Sequence, residues 1–316
     1  MPGDPARADG RIRVLFIGGL GRSGSTVLEG LIGTLPGFVS IGEVRHLWER
    51  CLGRNDLCEC GAPFLECPFW RSVGLEAFGG WQRVDARAAV AAARAVDRHR
   101  QLPRVIGRSS AGWPPLQTYA GMLERLFGAV QAVSGAAVVV DASKDPPHGF
   151  VLAKVGSVDL RVIHLVRDSR GVAHSWSKRI ERPDAQSGEA MARLSVGECG
   201  LMWMDANLVM EVLRRIERRG VRLRYEDVVA DPDGTLRKVG ALAGVTRPAE
   251  IARAGAAASH AIGGNPVRFR GGGSTLRLDD QWRWAMSARD RRMVTGLTAP
   301  LLRRYGYPIR HAQRCS

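Results

Sequence analysis

Residues 12–32 constrain the fold of this chain most. The apolar run Val14-Leu15-Phe16-Ile17-Gly18 leads straight into Gly19-Leu20-Gly21-Arg22-Ser23-Gly24-Ser25-Thr26, and an apolar periodicity through Val27, Leu28, Leu31 and Ile32 follows. That order predicts a buried strand, a tight glycine turn and an amphipathic helix. Backbone N–H groups in a first helical turn have no intrahelical partner, and the helix dipole adds partial positive charge. Such a turn is built to receive an anion. The spacing Gly19-x-x-x-x-Gly24 matches the loop that holds nucleoside triphosphates, yet Ser25 stands where that loop carries Lys. A kinase or ATPase needs that Lys on the β- and γ-phosphates. The sequence therefore predicts an anion cradle without ordinary triphosphate chemistry.

Along the rest of the chain, strands alternate with helices. Apolar runs at Phe38–Ile41, Ala136–Val140, Leu160–Val166 and Val221–Tyr225 read as strands. Helical patterns cover 85–100, 113–131, a segment opened by Pro146-Pro147, 172–178, 189–219, 226–242, 279–287 and 288–304. The predicted class is α/β: a P-loop-like parallel sheet with helices on both faces. The expected organisation is a disordered lead at 1–10, then one domain over 11–316 with helical and Cys-containing insertions at about 51–131. With 316 residues, 45% of them hydrophobic, the chain can bury a large core. In parallel sheets ligands bind beyond the carboxyl ends of the strands. Arg22–Thr26, Glu43, Asp141–Lys144, Arg167–Asp168 and Tyr225–Asp227 all fall at such ends.

The net charge is +15, yet only four of the 46 basic residues are lysines: Lys144, Lys154, Lys178 and Lys238. An anionic partner and an Arg-rich solvated surface both give such a balance. No aromatic-plus-basic stripe accompanies it, so nucleic-acid binding is not expected. No apolar run reaches bilayer length, and the first ten residues lack the basic-then-apolar-then-small pattern of a secretory signal, so the chain is read as cytoplasmic. Of the six cysteines, Cys51, Cys58, Cys60 and Cys67 cluster. Four thiolates suit tetrahedral zinc, but the usual paired C-x-x-C spacing is missing, and a reducing compartment disfavours disulfides. The segment is read as a compact Cys-containing Ω-like insertion, and no metal is assigned to it.

A second motif runs from Val162 to Ser175. Arg167 ends a predicted strand and Ser175 lies in the following helix, so both face one point above the sheet. A guanidinium fork and a hydroxyl suit a phosphate dianion. The alternative is Arg167 paired with Asp168 and Ser175 turned to solvent.

Two anion sites on one sheet, one without the kinase Lys, resemble the sulfotransferase family, which uses 3′-phosphoadenosine 5′-phosphosulfate (PAPS). The family's 5′-phosphosulfate loop resembles Gly21-Arg22-Ser23-Gly24-Ser25-Thr26, and its 3′-phosphate motif resembles Arg167-Asp168-x-Arg170-x4-Ser175. The likeness spans roughly residues 12–290 and is strongest to bacterial members, with some to the protein-tyrosine sulfotransferase branch. The Cys-rich segment and Gly264-Asn265-Pro266-x-Arg268-Phe269-Arg270 also look like bacterial members. Ser169 stands where many members have Pro, which touches turn rigidity more than ligand contacts.

The resemblance implies transfer of a sulfuryl group from PAPS to a hydroxyl or amine, releasing 3′,5′-ADP, with no metal required in the transfer step. It places Arg22, Ser23, Gly24, Ser25 and Thr26 on the 5′-phosphosulfate, and Arg167 and Ser175 on the 3′-phosphate. Arg268 or Arg270 closes over that phosphate or else is simply solvated. Glu43 falls where related branches carry a catalytic glutamate; its alternative is a salt bridge to Arg45 or a helix cap. His46 is the reserve base. Lys144, in Ser143-Lys144-Asp145-Pro146, resembles a leaving-group lysine, and Arg22 stands with it at the reacting end. The alternative for Lys144 is a pairing with Asp141 or Asp145, and Ser274 is a weaker second donor. The acceptor is a small molecule, glycan, lipid or peptide, with contacts expected from 71–131 and 179–200. Two other readings remain: a P-loop kinase-like phosphotransferase in which Arg22 replaces the Lys, and a non-catalytic nucleotide-binding module.

Overall fold

The computed structural model describes residues 10–108, 112–182, 184, 190–245, 259–264 and 276–309. Its five strands are β1 (Ile12–Gly18), β2 (Phe38–Ser40), β3 (Val138–Lys144), β4 (Val158–Val166) and β5 (Gly220–Arg224). They form one sheet in the order β2-β3-β1-β4-β5. Every neighbouring pair is parallel, as the helical crossovers between them require.

The strand sequences explain the layering. Side chains alternate faces along a strand, so a strand buried on both sides must be apolar throughout. Val14, Phe16, Val139 and Val162 enter one core, against α2 (Pro68–Phe78), α3 (Ala86–Val96), α5 (Pro114–Ser134), α6 (Pro146–Leu152) and α8 (Val196–Glu217). Leu15, Ile17, Val138, Val140 and Ile163 enter the opposite core, against α1 (Ser25–Ile32), α9 (Tyr225–Ala230) and α10 (Pro232–Ala243). A third cluster joins α7 (Ser169–Ser177), α8 and α12 (Ala288–Arg304) around Trp203, Trp282 and Tyr305. Each large side chain fully buried here, such as Phe127, contributes about 1.5–3 kcal/mol through the hydrophobic effect.

The α/β class, the five strands and the helices on both faces agree with the sequence reading; several element boundaries do not. The helix expected from 189 starts at Val196, because Ser195 and Glu198 form a reciprocal capping box that fixes the first turn there. The helical stretch at 226–242 is two helices: the Asp231 side chain accepts the Gly234 N–H, and Pro232 opens α10 as a fresh start. The helix expected to reach 100 ends at Val96, where Asp97 is buried against Arg45. The insertion also holds α2, which the sequence reading passed over because its Cys-rich approach masks a Pro-started helix. Among the described residues no helix is long and apolar enough to cross a membrane.

Candidate active site

The carboxyl ends of β1 to β4 converge on one cavity of about 410 Å³. At the end of β1, the chain turns through Gly19–Gly24 into α1, whose N-cap is Gly24 with φ 91° and no side-chain cap. A Cβ on Gly24 would lie 2.2 Å from the Tyr225 ring, so the close approach and the left-handed backbone both demand glycine. Arg22 also has a left-handed backbone, φ 72°, which costs a non-glycine residue of order 1 kcal/mol. Gly19, Leu20, Gly21, Arg22, Gly24, Ser25 and Thr26 line the cavity, whereas Ser23 is buried and is not part of its wall.

Arg22 is only 8% exposed, lies over the Trp176 ring at 5.5 Å and touches the Met191 sulfur. Its Nε and Nη1 are buried and find no hydrogen-bond partner among the described residues. Burial lowers its pKa, and Glu43 opposes that shift. Buried guanidinium N–H groups without partners are costly, and an anion in the cavity would satisfy them.

Glu43 follows β2 through Gly42, whose φ is 78° and whose Cβ would lie 2.2 Å from the Ile262 carbonyl. The Glu43 N–H donates to that carbonyl at 2.7 Å, which fixes the backbone of the carboxylate-bearing residue. The Glu43 carboxylate accepts from Lys144 Nζ through Oε1 and lies 3.4 Å from His46 Nε2 through Oε2. Burial alone would raise the Glu43 pKa, but Lys144 and His46 outweigh it and hold the carboxyl well below its usual range. His46 has its pKa lowered by burial, with Arg50 and Arg45 reinforcing the effect against Glu43.

A bulge aims Lys144. Between the pairs Phe16–Asp141 and Gly18–Lys144 the register shifts, so β3 carries one extra residue, and Lys144 takes a φ of 66°. Its carbonyl accepts the Gly19 N–H at 2.9 Å, tying the glycine loop to the same residue whose ammonium reaches Glu43. Neither a Glu43–Arg45 bridge nor a Lys144 pairing with Asp141 or Asp145 is present among the described residues, and Glu43, the N-cap residue of the Val44–His46 turn, makes no side-chain cap bond. Arg45 is engaged by Asp145 at 2.7 Å and Asp97 at 3.3 Å and does not reach Glu43. Asp141, fully buried, serves Ser143 and His148, so neither it nor Asp145 holds Lys144.

Arg167, at the end of β4, and Ser175, on α7, line the same cavity, as the motif predicted. Arg167 is not paired with Asp168, which is taken by Arg170 through bonds of 2.8 and 2.6 Å. Arg167 donates to the Arg22 carbonyl at 3.1 Å, meets the Asp279 carboxylate at 3.0 Å and stacks on Tyr225 at 4.7 Å. Asp279 gave no signal in the sequence, since it reaches the site from just beyond the Gly-rich tail. Ser169, the departure from Pro, is bonded to Thr298 of α12 at 2.7 Å and away from the cavity wall. Arg268, Arg270 and Ser274 lie outside the described residues. The cavity is also lined by Arg50, His99, Met191, Met202 and Asp205. His99 and Met191 come from the two segments expected to meet an acceptor; the contribution of α8 carried no sequence signal.

A model of the sulfotransferase family matches residues 15–249. The chain belongs to that family. Two solved structures are similar to this sulfotransferase-family chain. The sulfotransferase domain from the curacin biosynthetic pathway gives a TM-score of 0.52 at 16% identity, covering 94% of this chain and 98% of that domain. The sulfotransferase domain of the Synechococcus PCC 7002 olefin synthase gives 0.49 at 18% identity, covering 95% of this chain and 97% of that domain. At such identity the curacin-pathway likeness speaks of shared fold alone. No curated protein sequence matches.

Proposed function

We propose that this family member transfers a sulfuryl group from PAPS to a hydroxyl or amine acceptor, with Glu43 as the base. The observation that carries the reading is the Glu43–Lys144 pair beside an anion cradle whose Arg22 has two buried guanidinium nitrogens, Nε and Nη1, without hydrogen-bond partners among the described residues. These residues fit a doubly anionic nucleotide. The N–H groups of the Gly24–Thr26 turn and Arg22 would hold the 5′-phosphosulfate end, and Arg167 with Ser175 the 3′-phosphate, with Ser23 shaping the turn from behind. PAPS supplies an electrophilic sulfur and leaves as 3′,5′-ADP once the bond from sulfur to its bridging phosphate oxygen breaks.

Glu43 accepts the proton of the acceptor as the new bond to sulfur forms. A carboxylate with a strongly lowered pKa is a weak base, so this transfer is late. An anion on the cradle gives Lys144 a second negative partner, which relaxes its hold on Glu43 and raises the basicity of the carboxylate. Lys144 and Arg22 then face the charge that develops on the departing phosphate. His46 orients Oε2 of Glu43, and burial lowers its own pKa. The phosphotransfer alternative lacks the Lys that its loop requires, Ser25 standing in that place.

Thermal unfolding with 3′,5′-ADP tests the donor. At a hundredfold excess over Kd the nucleotide should add about 2.7 kcal/mol of stability and raise Tm visibly. ATP with magnesium should not. Stabilisation by ATP–magnesium alone would replace this reading with the phosphotransferase one. Arg167→Ala should weaken 3′,5′-ADP binding about ten- to a hundredfold, the worth of one charge-assisted contact. Calorimetry showing unchanged affinity in a folded Arg167→Ala protein would remove Arg167 from the nucleotide site.

A further inference from the structure

The Cys-rich segment is not absorbed by the proposed chemistry, and the structure regroups it. Cys51 lies apart, buried in the helical turn at Leu47–Leu52. Cys58, Cys60 and Cys67 meet His260 instead, with the three sulfurs and one ring nitrogen all within 4.8 Å of one another. Cys60 Sγ is 3.7 Å from Cys67 Sγ; His260 Nδ1 is 3.3 Å from Cys67 Sγ and 3.9 Å from Cys58 Sγ.

We propose that Cys58, Cys60, Cys67 and His260 bind one structural zinc ion that clamps the 259–264 segment beneath Glu43. Three thiolates and an imidazole are a common zinc donor set, and bonds of about 2.3 Å to sulfur and 2.0 Å to nitrogen set the edges of its tetrahedron. Those edges are about 3.8 Å between sulfurs and about 3.5 Å between sulfur and nitrogen. The separations of 3.7, 3.3 and 3.9 Å lie close to these edges, whereas disulfide sulfurs stand about 2.05 Å apart. Soft sulfur ligands in this geometry favour zinc over magnesium or calcium.

Neighbouring groups hold the ligands in place. The backbone N–H groups of Cys60 and Trp70 bond the sulfurs of Cys58 and Cys67 respectively. Cys67 is also the N-cap of α2, where the helix dipole favours a thiolate. The His260 ring stacks on Phe69 at 5.0 Å with 10° between planes, and its carbonyl accepts from Trp70 Nε1 at 2.8 Å. The ring is thereby held with Nδ1 facing the sulfurs, the role that outer contacts play around metal-bound histidine. On binding, each thiol loses its proton to solvent and the ion gains a closed set of four ligands, none of them in the wall of the Glu43 cavity. The ion is structural, outside the transfer step.

The clamp has a clear structural load. Two residues after His260, the Ile262 N–H donates to the Ile41 carbonyl at 3.1 Å, and the Ile262 carbonyl accepts from Glu43 at 2.7 Å. Glu59, between two of the cysteines, donates its N–H to Ala261 at 3.1 Å. Zinc would fix both sides of this join.

The full chain, purified without a polyhistidine tag under reducing conditions, should carry one zinc per molecule by elemental analysis. Exchange with cobalt(II) should give the intense thiolate-to-cobalt absorption of a tetrahedral sulfur site. His260→Ala and Cys60→Ser should lose most of the zinc, while Cys51→Ala should keep it. Wild-type protein without zinc, and without a cobalt spectrum after reduction, overturns the proposal. So does zinc that survives both ligand substitutions. If either ligand variant fails to fold, the wild-type metal content and cobalt spectrum decide by themselves. Neither readout depends on sulfuryl transfer, so failure here leaves the proposed function standing, and the reverse holds too.

Discussion

Glu43→Gln is expected to lower turnover about 10²–10⁴-fold, the usual worth of a positioned general base. The amide keeps the volume of the carboxylate and can still accept from Lys144 and His46, but it cannot take a proton. Lys144 has 17% of its side chain exposed, so losing a charged partner leaves it able to rehydrate. Nucleotide affinity should therefore hold or rise slightly, since a negative charge beside an anion site is gone. Steady-state rates with any accepted substrate, together with 3′,5′-ADP calorimetry, separate the two effects. A Glu43→Gln enzyme with full turnover would move the base elsewhere, and His46, 3.4 Å from the same carboxylate, would be next to test.

The sheet and the glycine loop were legible because their signals are local. Fully apolar runs such as Val138–Val140 mean strands buried on both faces, and Gly19 and Gly24 mark a turn few other residues can make. Ser195 and Glu198 were equally readable as a helix start, yet the apolar periodicity before them drew the boundary too early. What sequence could not give was partner choice at the strand ends. Arg45 is two residues from Glu43 and looks like its mate, but the turn at Val44–His46 sends it to Asp97 and Asp145. Lys144 reaches Glu43 only because β3 bulges and the residue adopts a left-handed backbone, neither of which its own residue type favours. Arg167 finds Asp279, and Cys67 finds His260, across more than a hundred residues. No spacing rule spans such a gap, and cysteines without a paired C-x-x-C do not by themselves point to a distant histidine.

Lys144→Ala should cost the fold about 3–5 kcal/mol at neutral pH. It strands a carboxylate with only 8% of its side chain exposed in a pocket where burial is the largest influence on its titration. The sign of the pH dependence should change as well. In the wild type, the folded Glu43 pKa lies below its unfolded value of about 4.3. Its stabilising contribution is therefore fully present above that value and lost as pH falls through the folded one. Without Lys144, burial is opposed by His46 and more weakly by Arg22 and Arg50, and the folded pKa should rise above the unfolded one. Glu43 then favours folding only while protonated, and that contribution fades as pH rises. The destabilisation measured by urea unfolding should accordingly be larger at pH 7.5 than at pH 5. Adding Glu43→Gln to Lys144→Ala should recover much of the loss at pH 7.5, since no buried charge is left unpaired. Turnover should not recover in the double variant, because the base and the cation facing the leaving phosphate are both gone. Equal stability of wild type and Lys144→Ala at both pH values would break the pair on which the proposed chemistry rests.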